Sequence, residues 1–365
     1  MPRLIDMLDA AVGRSPAMVD HAVDYLRRVP GPERLVGPEG TYNAGWFEDF
    51  QGEFNFDDSS AFDMAMHRWF HVTLDTPQHF IVWNLADFSR AGNVALLVAD
   101  KQTGAFEHAS LTRLFNMNKV EVDPSRRHFT DPETHSFTAV DPQEERFSFS
   151  IHADHLHLSG VAERVLGPAM VQCTRFHRGR GSLQWYGCLR LLHGTLTLGE
   201  RVIQLPPGCY GTYDRTMGHQ RGLQGWNWIA CVGMATGPGG ERVPLGVQVA
   251  RDIPGRAVPV VLAKKYIVWV DGQVHKVPEA LFEYSSDQDK ESGPWRVHSG
   301  GVIGGQGLDL HFTPTFHRRE QKSAGLMDAD FNQYYGQVHG QVTVGGRTWT
   351  LEPTFAVTED SRLEL

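Results

Sequence analysis

From Tyr42 to the C-terminus the chain is written in short runs of Val, Ile, Phe, Tyr, Trp and Thr, each closed by Gly, Pro, Asp or Asn. β-Branched and aromatic residues suit a pleated, half-buried surface, and the closing residues supply turns. The stretches HRWFHVTLDT (67–76), HFIVWNLADF (79–88) and NVALLVADKQTGAFEHASLTRLF (93–115) therefore read as strands, with DKQTG as a hairpin turn. FSFSIHADHLHLSGVAERVL (147–166) and LQWYGCLRLLHGTLTLGERVIQL (183–205) continue the pattern. Two later turns are sharper: Asp-Gly in VDGQV (270–274) and Gly-Gly in VTVGGRTWTLE (342–352) both favour tight hairpins. MATGPGGERVP (234–244) reads as a surface hairpin loop. No long, capped helical pattern follows residue 40; EQKSAGLMDADFNQ (320–333) reads as a loop or a helical turn.

The 38 glycines and 20 prolines punctuate these runs at intervals typical of a sandwich or barrel. With 365 residues the chain is long enough for two such units. The expected organisation is mostly β: a helical segment over 1–40, a first β domain over 41–215 and a second over 216–365. The helical segment rests on Leu4, Ile5, Leu8 and Val12, then Met18, Ala22, Tyr25 and Leu26, with Ser15 as a cap and Pro16 opening the second helix.

Composition narrows the function. The net charge is −9, and no Lys/Arg block occurs. A nucleic acid partner needs clustered cations to neutralise phosphate, so none is expected. The N-terminus carries Asp6 and Asp9 within its apolar pattern and lacks a signal-peptide core. No run approaches the roughly 18 apolar residues of a membrane span. The expectation is a cytoplasmic protein with no integral membrane association. Cys173, Cys188, Cys209 and Cys231 match no zinc spacing and read as reduced, small apolar residues. Neither G-x-G-x-x-G nor a P-loop occurs, so no nucleotide cofactor is expected.

One segment concentrates costly side chains: GTYDRTMGHQRGLQGWNWIACVG (211–233). Strand alternation puts Tyr210, Thr212 and Asp214 on one face and Gly211 and Tyr213 on the other. Asp214 is either a turn-capping aspartate or a general acid tuned by Tyr210, Arg215 or His219. Trp226 and Trp228 share a face opposite Asn227 and Ile229. They are either a core ladder or the wall of an apolar pocket. In SIHADHLHLSG (150–160), a continuous strand would put His152 with Asp154 and His155 with His157. An H-x-H pair can ligate metal, but a third ligand would have to come from elsewhere, and no metal is expected.

YGTYDRTMGHQRGLQGWNWIACVG resembles the D-x-x-x-G followed by W-x-W of the lipocalin-like two-domain proteins. That group includes carotenoid 1,2-hydratases, AttH-like proteins and a DUF2804-type branch of unknown function. KKYIVWVDGQVHKV, GPWRVHSGGVIGGQGLDLHFTP and NQYYGQVHGQVTVGGRTWTLE are similar to the last branch in order and spacing. The likeness is good over 170–365 and loose over 42–170. It implies two consecutive calycin-like barrels with a ligand cavity at or near their junction. In the hydratases the aspartate of this motif protonates an isolated C=C bond of an isoprenoid; that role falls on Asp214. The tyrosine two residues before the acid is matched by Thr212, with Tyr213 adjacent. The hydratases' upstream His-x-Trp is not reproduced; in LQWYGCLR the nearest candidates are Trp185 and Tyr186. Asn227 stands where many relatives carry an acid.

Together these readings give an enzyme acting on a bulky apolar substrate of isoprenoid, steroid or polyketide type. The reaction would be hydration or dehydration, cyclisation or double-bond isomerisation. Asp214 is the proton donor, with Tyr213 and His219 as catalytic partners. Trp185, Tyr186, Tyr210, Thr212, Trp226, Asn227 and Trp228 form the binding surface. The alternative is a non-catalytic lipocalin-like carrier of a hydrophobic small molecule.

Overall fold

The computed structural model describes residues 29–59, 66–88, 91–114, 120–123, 128–141, 145–175, 180–219, 224–253, 265–284, 290–324 and 327–364. The helices expected before residue 29 lie outside the described residues. Residues 29–40 are turn and coil, with Val36 bridged to Tyr42.

The described chain is almost entirely strand, in two antiparallel sheets. The first sheet takes β1 (Gly45–Glu48), β2 (Met66–Asp75), β3 (His79–Asp87), β4 (Ala91–Asp100), β5 (Phe106–Leu114), β6 (Glu121–Asp123) and β7 (His128–Asp131). It continues through β8 (Ser136–Asp141), β9 (Arg146–Ala153), β10 (Leu156–Arg175), β11 (Gly181–Leu198), β12 (Arg201–Leu205) and β13 (Tyr210–His219). Its order is β5-β4-β3-β2-β13-β11-β10-β9-β8-β7-β6. The second sheet holds β14 (Gln224–Thr236), β15 (Arg242–Ile253), β16 (Lys265–Val270), β17 (Gln273–Lys276) and β18 (Leu281–Glu283). β19 (Trp295–His298), β20 (Gly307–Ala324), β21 (Met327–Val344) and β22 (Arg347–Glu364) complete it, in the order β17-β16-β15-β14-β22-β21-β20-β19-β18.

Each sheet curls around a core of its own. In the first, Trp83 of β3 packs on Phe149 of β9 at 4.7 Å and donates its indole hydrogen to Thr138 of β8. Arg113 of β5 and Asp131 of β7 close the far ends with a buried ion pair. In the second, Trp295 packs between Tyr284 and Tyr334, each at 4.8 Å. The expected hairpin turns are present. Asp271 and Gly272 have φ of 56° and 73°, and Gly345 and Gly346 have 58° and 73°, the left-handed pairs that a tight two-residue turn requires.

Two local readings are corrected. Residues 320–324 and 327–333 are strand, not loop or helical turn: they belong to β20 and β21, with Ala324 paired to Met327. Residues 150–160 are not one strand: Asp154, at φ 52°, and His155 form the turn between β9 and β10. An aspartate tolerates that conformation by bonding locally, so no glycine marks the turn. His152 and His157 thus face each other across the hairpin, stacked at 3.9 Å.

The outer faces of the two sheets pack together. Phe80, Val82, Leu97 and Ala99 of the first meet Trp228, Ala230, Phe316, Tyr335, Phe355 and Val357 of the second. A second contact joins Tyr186 and Cys188 to Val232, Ile267 and Trp269. Gln248 of β15 donates across the seam to the carbonyls of Gly187 at 2.9 Å and Tyr213 at 3.1 Å. Each fully buried large side chain at such a contact contributes about 1.5–3 kcal/mol.

Candidate functional site

Alternation along β13 decides what Asp214 can touch. Tyr213 and Met217 point into the core of the first sheet. Asp214 and Thr212 point outward, toward the second sheet. Asp214 sits directly across from Tyr186 of β11 and His71 of β2, and His71 sits across from Asn84 of β3. The row continues to Ala95 of β4 and Ser110 of β5. Facing residues in neighbouring strands have Cβ atoms about 5 Å apart, so this row is a continuous strip.

The second sheet lays a matching strip over it: Lys265, Ala250, Trp228, Glu359, Gln333 and Arg318, on six neighbouring strands in turn. The two strips touch where His71 meets Trp228 edge-on at 5.2 Å. Asp214 and His71 are each only partly buried. Accessibility persists along Asn84 and Ala95 and becomes full exposure at Ser110. There the cleft meets a groove of about 860 Å³ between β5 and β20, lined by Phe106, His108, Ser110, Thr112, His317 and Arg318 among others.

The electrostatics of the cleft follow from burial. It pushes the Asp214 carboxyl up to about 6, against the nearby charge of Lys265 and hydrogen bonds from Thr216 and Trp69; the charge of Glu359 adds to the rise. Thr216 Oγ1 donates to Asp214 Oδ1 at 3.2 Å. Burial holds His71 down to about 4, reinforced by Arg318. Glu359 is also raised by burial, although Trp226 Nε1 donates to it at 2.6 Å and Gln333 Nε2 at 2.7 Å. Gln333 in turn accepts from Arg318 at 2.7 Å and from the Tyr335 hydroxyl at 2.9 Å.

The residues singled out in the sequence divide into three groups. Asp214, Tyr186, Tyr210, Thr212, Trp226 and Trp228 all stand on the faces turned toward the seam between the sheets. Tyr213, His219 and Trp185 lie on the other side of the first sheet. Tyr213 packs on Phe147 at 4.8 Å, and His219 shares a 2.7 Å hydrogen bond with Tyr42. The backbone of β13 thus separates both proposed catalytic partners from Asp214. Asn227 is buried on the inner side of β14, opposite the two tryptophans. Trp185 lines a cavity inside the first sheet with Asp49, Arg164, Tyr213 and Arg215, of about 40 Å³.

Sequence reasoning missed Trp69, His71, Lys265 and Glu359. Only the first two had a local signal: in HRWFH, His67, Trp69 and His71 alternate onto one face of β2. Among the described residues, no three His, Cys, Asp or Glu side chains gather as a metal would need. No described helix is long and apolar enough to cross a membrane.

The model of one protein family, the domain of unknown function DUF2804, matches residues 27–364. The chain belongs to the DUF2804 family. No curated protein matches it. Among solved structures, this DUF2804 chain is similar to CghA crystallised with Sch210972, at 12% identity and a TM-score of 0.52, over 82% of this chain and 88% of that one. It is also similar to an AttH-like protein from Nitrosomonas europaea, at 15% identity and a TM-score of 0.51, over 84% and 96% respectively. At these identities the likeness shows the fold that the DUF2804 chain shares with these lipocalin-like two-domain proteins.

Proposed function

We propose that this protein is an enzyme that performs acid chemistry on a bulky, largely apolar small molecule bound between its two sheets, with Asp214 as the proton donor. One observation carries the reading: the Asp214 carboxyl lies in an aromatic cleft, pushed up to about 6 by burial. A carboxyl near 6 is protonated in a useful fraction just below neutrality, which an acid catalyst needs. Trp69, Tyr186 and Trp228 provide faces able to stabilise positive charge developing on a substrate carbon. Hydration, dehydration, cyclisation and double-bond isomerisation all share that protonation step.

The cleft suits such a substrate better than the barrel interior does. Ligand pockets hold roughly 300–1,000 Å³. The interior cavity beside Trp185 offers only about 40 Å³, whereas the strip that carries Asp214 ends at Ser110 in an open groove of about 860 Å³, four strands from Asp214. CghA was crystallised with Sch210972, which agrees with small-molecule binding on this fold.

The test starts from compounds that co-purify with the protein, identified by mass spectrometry and then supplied as substrate. Wild type should convert one of that class, and Asp214→Asn should retain the fold and lose turnover by at least about a hundredfold. Unchanged turnover in Asp214→Asn removes the proton-donor role. Tight binding with no product from wild type establishes a carrier instead.

A further inference from the structure

Two buried polar atoms at the seam beside Asp214 have no hydrogen-bond partner among the described residues: His71 Nε2 and Trp228 Nε1. Trp228 is 5% exposed and makes edge contact with His71 across the seam. His71 is the direct cross-strand neighbour of Asp214. Buried polar groups are almost always hydrogen-bonded, and leaving one unpaired is costly. An indole N–H can only donate, so its missing partner is an acceptor. A pure hydrocarbon provides none.

The floor leading inward is equally ill-suited to a hydrocarbon. Asn84 donates to Asn93 at 3.3 Å, and Asn93 donates to Ser110 at 3.0 Å and Thr112 at 2.9 Å. A hydrocarbon chain laid on this strip would strip water from amides and hydroxyls without replacing it.

We propose that the substrate carries a carbonyl conjugated to its reacting double bond, and that Trp228 Nε1 donates to the carbonyl oxygen while His71 Nε2 handles the water proton. This rests on Asp214 acting as the acid. In the hydration direction, His71 takes a proton from water as the water oxygen bonds to the β-carbon. The C=C electron pair moves toward the carbonyl, forming an enolate oxygen held by the Trp228 N–H. The Asp214 carboxylic acid then protonates the α-carbon, and the C=O re-forms. The proton on His71 returns to the Asp214 carboxylate. The sum is substrate plus water giving a β-hydroxy carbonyl compound, and dehydration is the reverse.

A matched probe pair tests the carbonyl contact without turnover. Nootkatone is an enone; valencene is the hydrocarbon of the same skeleton. Binding is followed by the indole N–H signals of protein labelled with ¹⁵N-tryptophan. Nootkatone should bind roughly tenfold or more tightly, the margin of one buried hydrogen bond. It should shift the Trp228 signal, and Trp228→Phe should erase the preference while Asp214→Asn retains it. Equal affinity for the two probes, or a preference that survives in Trp228→Phe, overturns the proposal. Either result leaves the proton-donor role to be judged separately by turnover in Asp214→Asn.

Discussion

Asp214 and Arg215 are consecutive residues on β13, yet their side chains leave opposite faces of the sheet. The Arg215 guanidinium lies 3.8 Å over the ring of Trp185, inside the first sheet. The Asp214 carboxyl accepts from Thr216 on the outside. The adjacent pair in the sequence is therefore not an ion pair in the fold. Had Arg215 faced Asp214, its charge would have held the carboxyl low. Its cation–π seat leaves burial to set the proton affinity of Asp214.

That proton affinity makes stability depend on pH. The carboxyl of Asp214 is raised from the usual range near 4 to about 6 in the folded chain. Between these values the folded state binds more protons than the unfolded state, so this group favours folding at low pH and loses that effect as pH rises through 6. Asp214→Asn carries no such charge. Its stability relative to wild type should therefore increase between about pH 4 and pH 7, levelling above. Urea denaturation at a series of pH values measures the difference. A flat difference across this range would place Asp214 in an ordinary solvated setting.

The separation of faces predicts a division of labour. Tyr213→Phe should leave turnover of any identified substrate within about twofold of wild type, because its hydroxyl lies across the sheet from Asp214. Tyr42→Phe removes the bond to His219 and should cost about 1 kcal/mol of stability with turnover unchanged. A hundredfold loss of turnover in either variant, with stability intact, would mean that the inner face takes part in catalysis.

How much of this was legible in the sequence depends on the range of the contact. Alternation alone placed Tyr210, Thr212 and Asp214 on one face and set Trp226 and Trp228 opposite Asn227, because a strand's side chains have a period of two. Asp-Gly and Gly-Gly named their hairpins, since φ > 0 leaves few choices of residue. The Asp154–His155 turn was missed because aspartate enters the left-handed region without announcing it. The grouping of Tyr213 and His219 with Asp214 has the opposite origin. They are close in sequence, but odd spacing puts them across the sheet. His71, Lys265 and Glu359 had no signal near Asp214 at all. Strand pairing and the packing of two sheets bring them in from 143, 51 and 145 residues away.

The seam itself has little tolerance for bulk. A Cβ added at Gly246 of β15 would stand 2.3 Å from the Cys188 sulfur of β11. Cys188 is fully buried and short, so it cannot swing aside. Gly246→Ala should cost about 1–3 kcal/mol through overpacking. Cys188→Ala combined with Gly246→Ala should recover most of that loss, because the deleted sulfur is the clashing atom. Thermal denaturation of both single variants and the double variant completes the cycle. Strict additivity would show that the two sheets shift apart freely at this point.

Lys265 and Glu359 act on Asp214 with opposite sign. The cation lowers its proton affinity and the carboxylate raises it. Lys265→Met should therefore move the Asp214 titration above 6, and Glu359→Gln should move it below 6. The glutamine oxygen can accept from only one of Trp226 Nε1 and Gln333 Nε2, which bond separate oxygens of Glu359, so the shift reads charge when thermal stability is unchanged beside it. Carboxyl ¹³C signals of aspartate-labelled protein, assigned with Asp214→Asn, follow the titration directly. Movement in the predicted directions establishes that both strips of the cleft, one from each sheet, set the strength of one acid. If neither substitution moves it, the field at Asp214 comes from the first sheet alone, and the second sheet is only a lid.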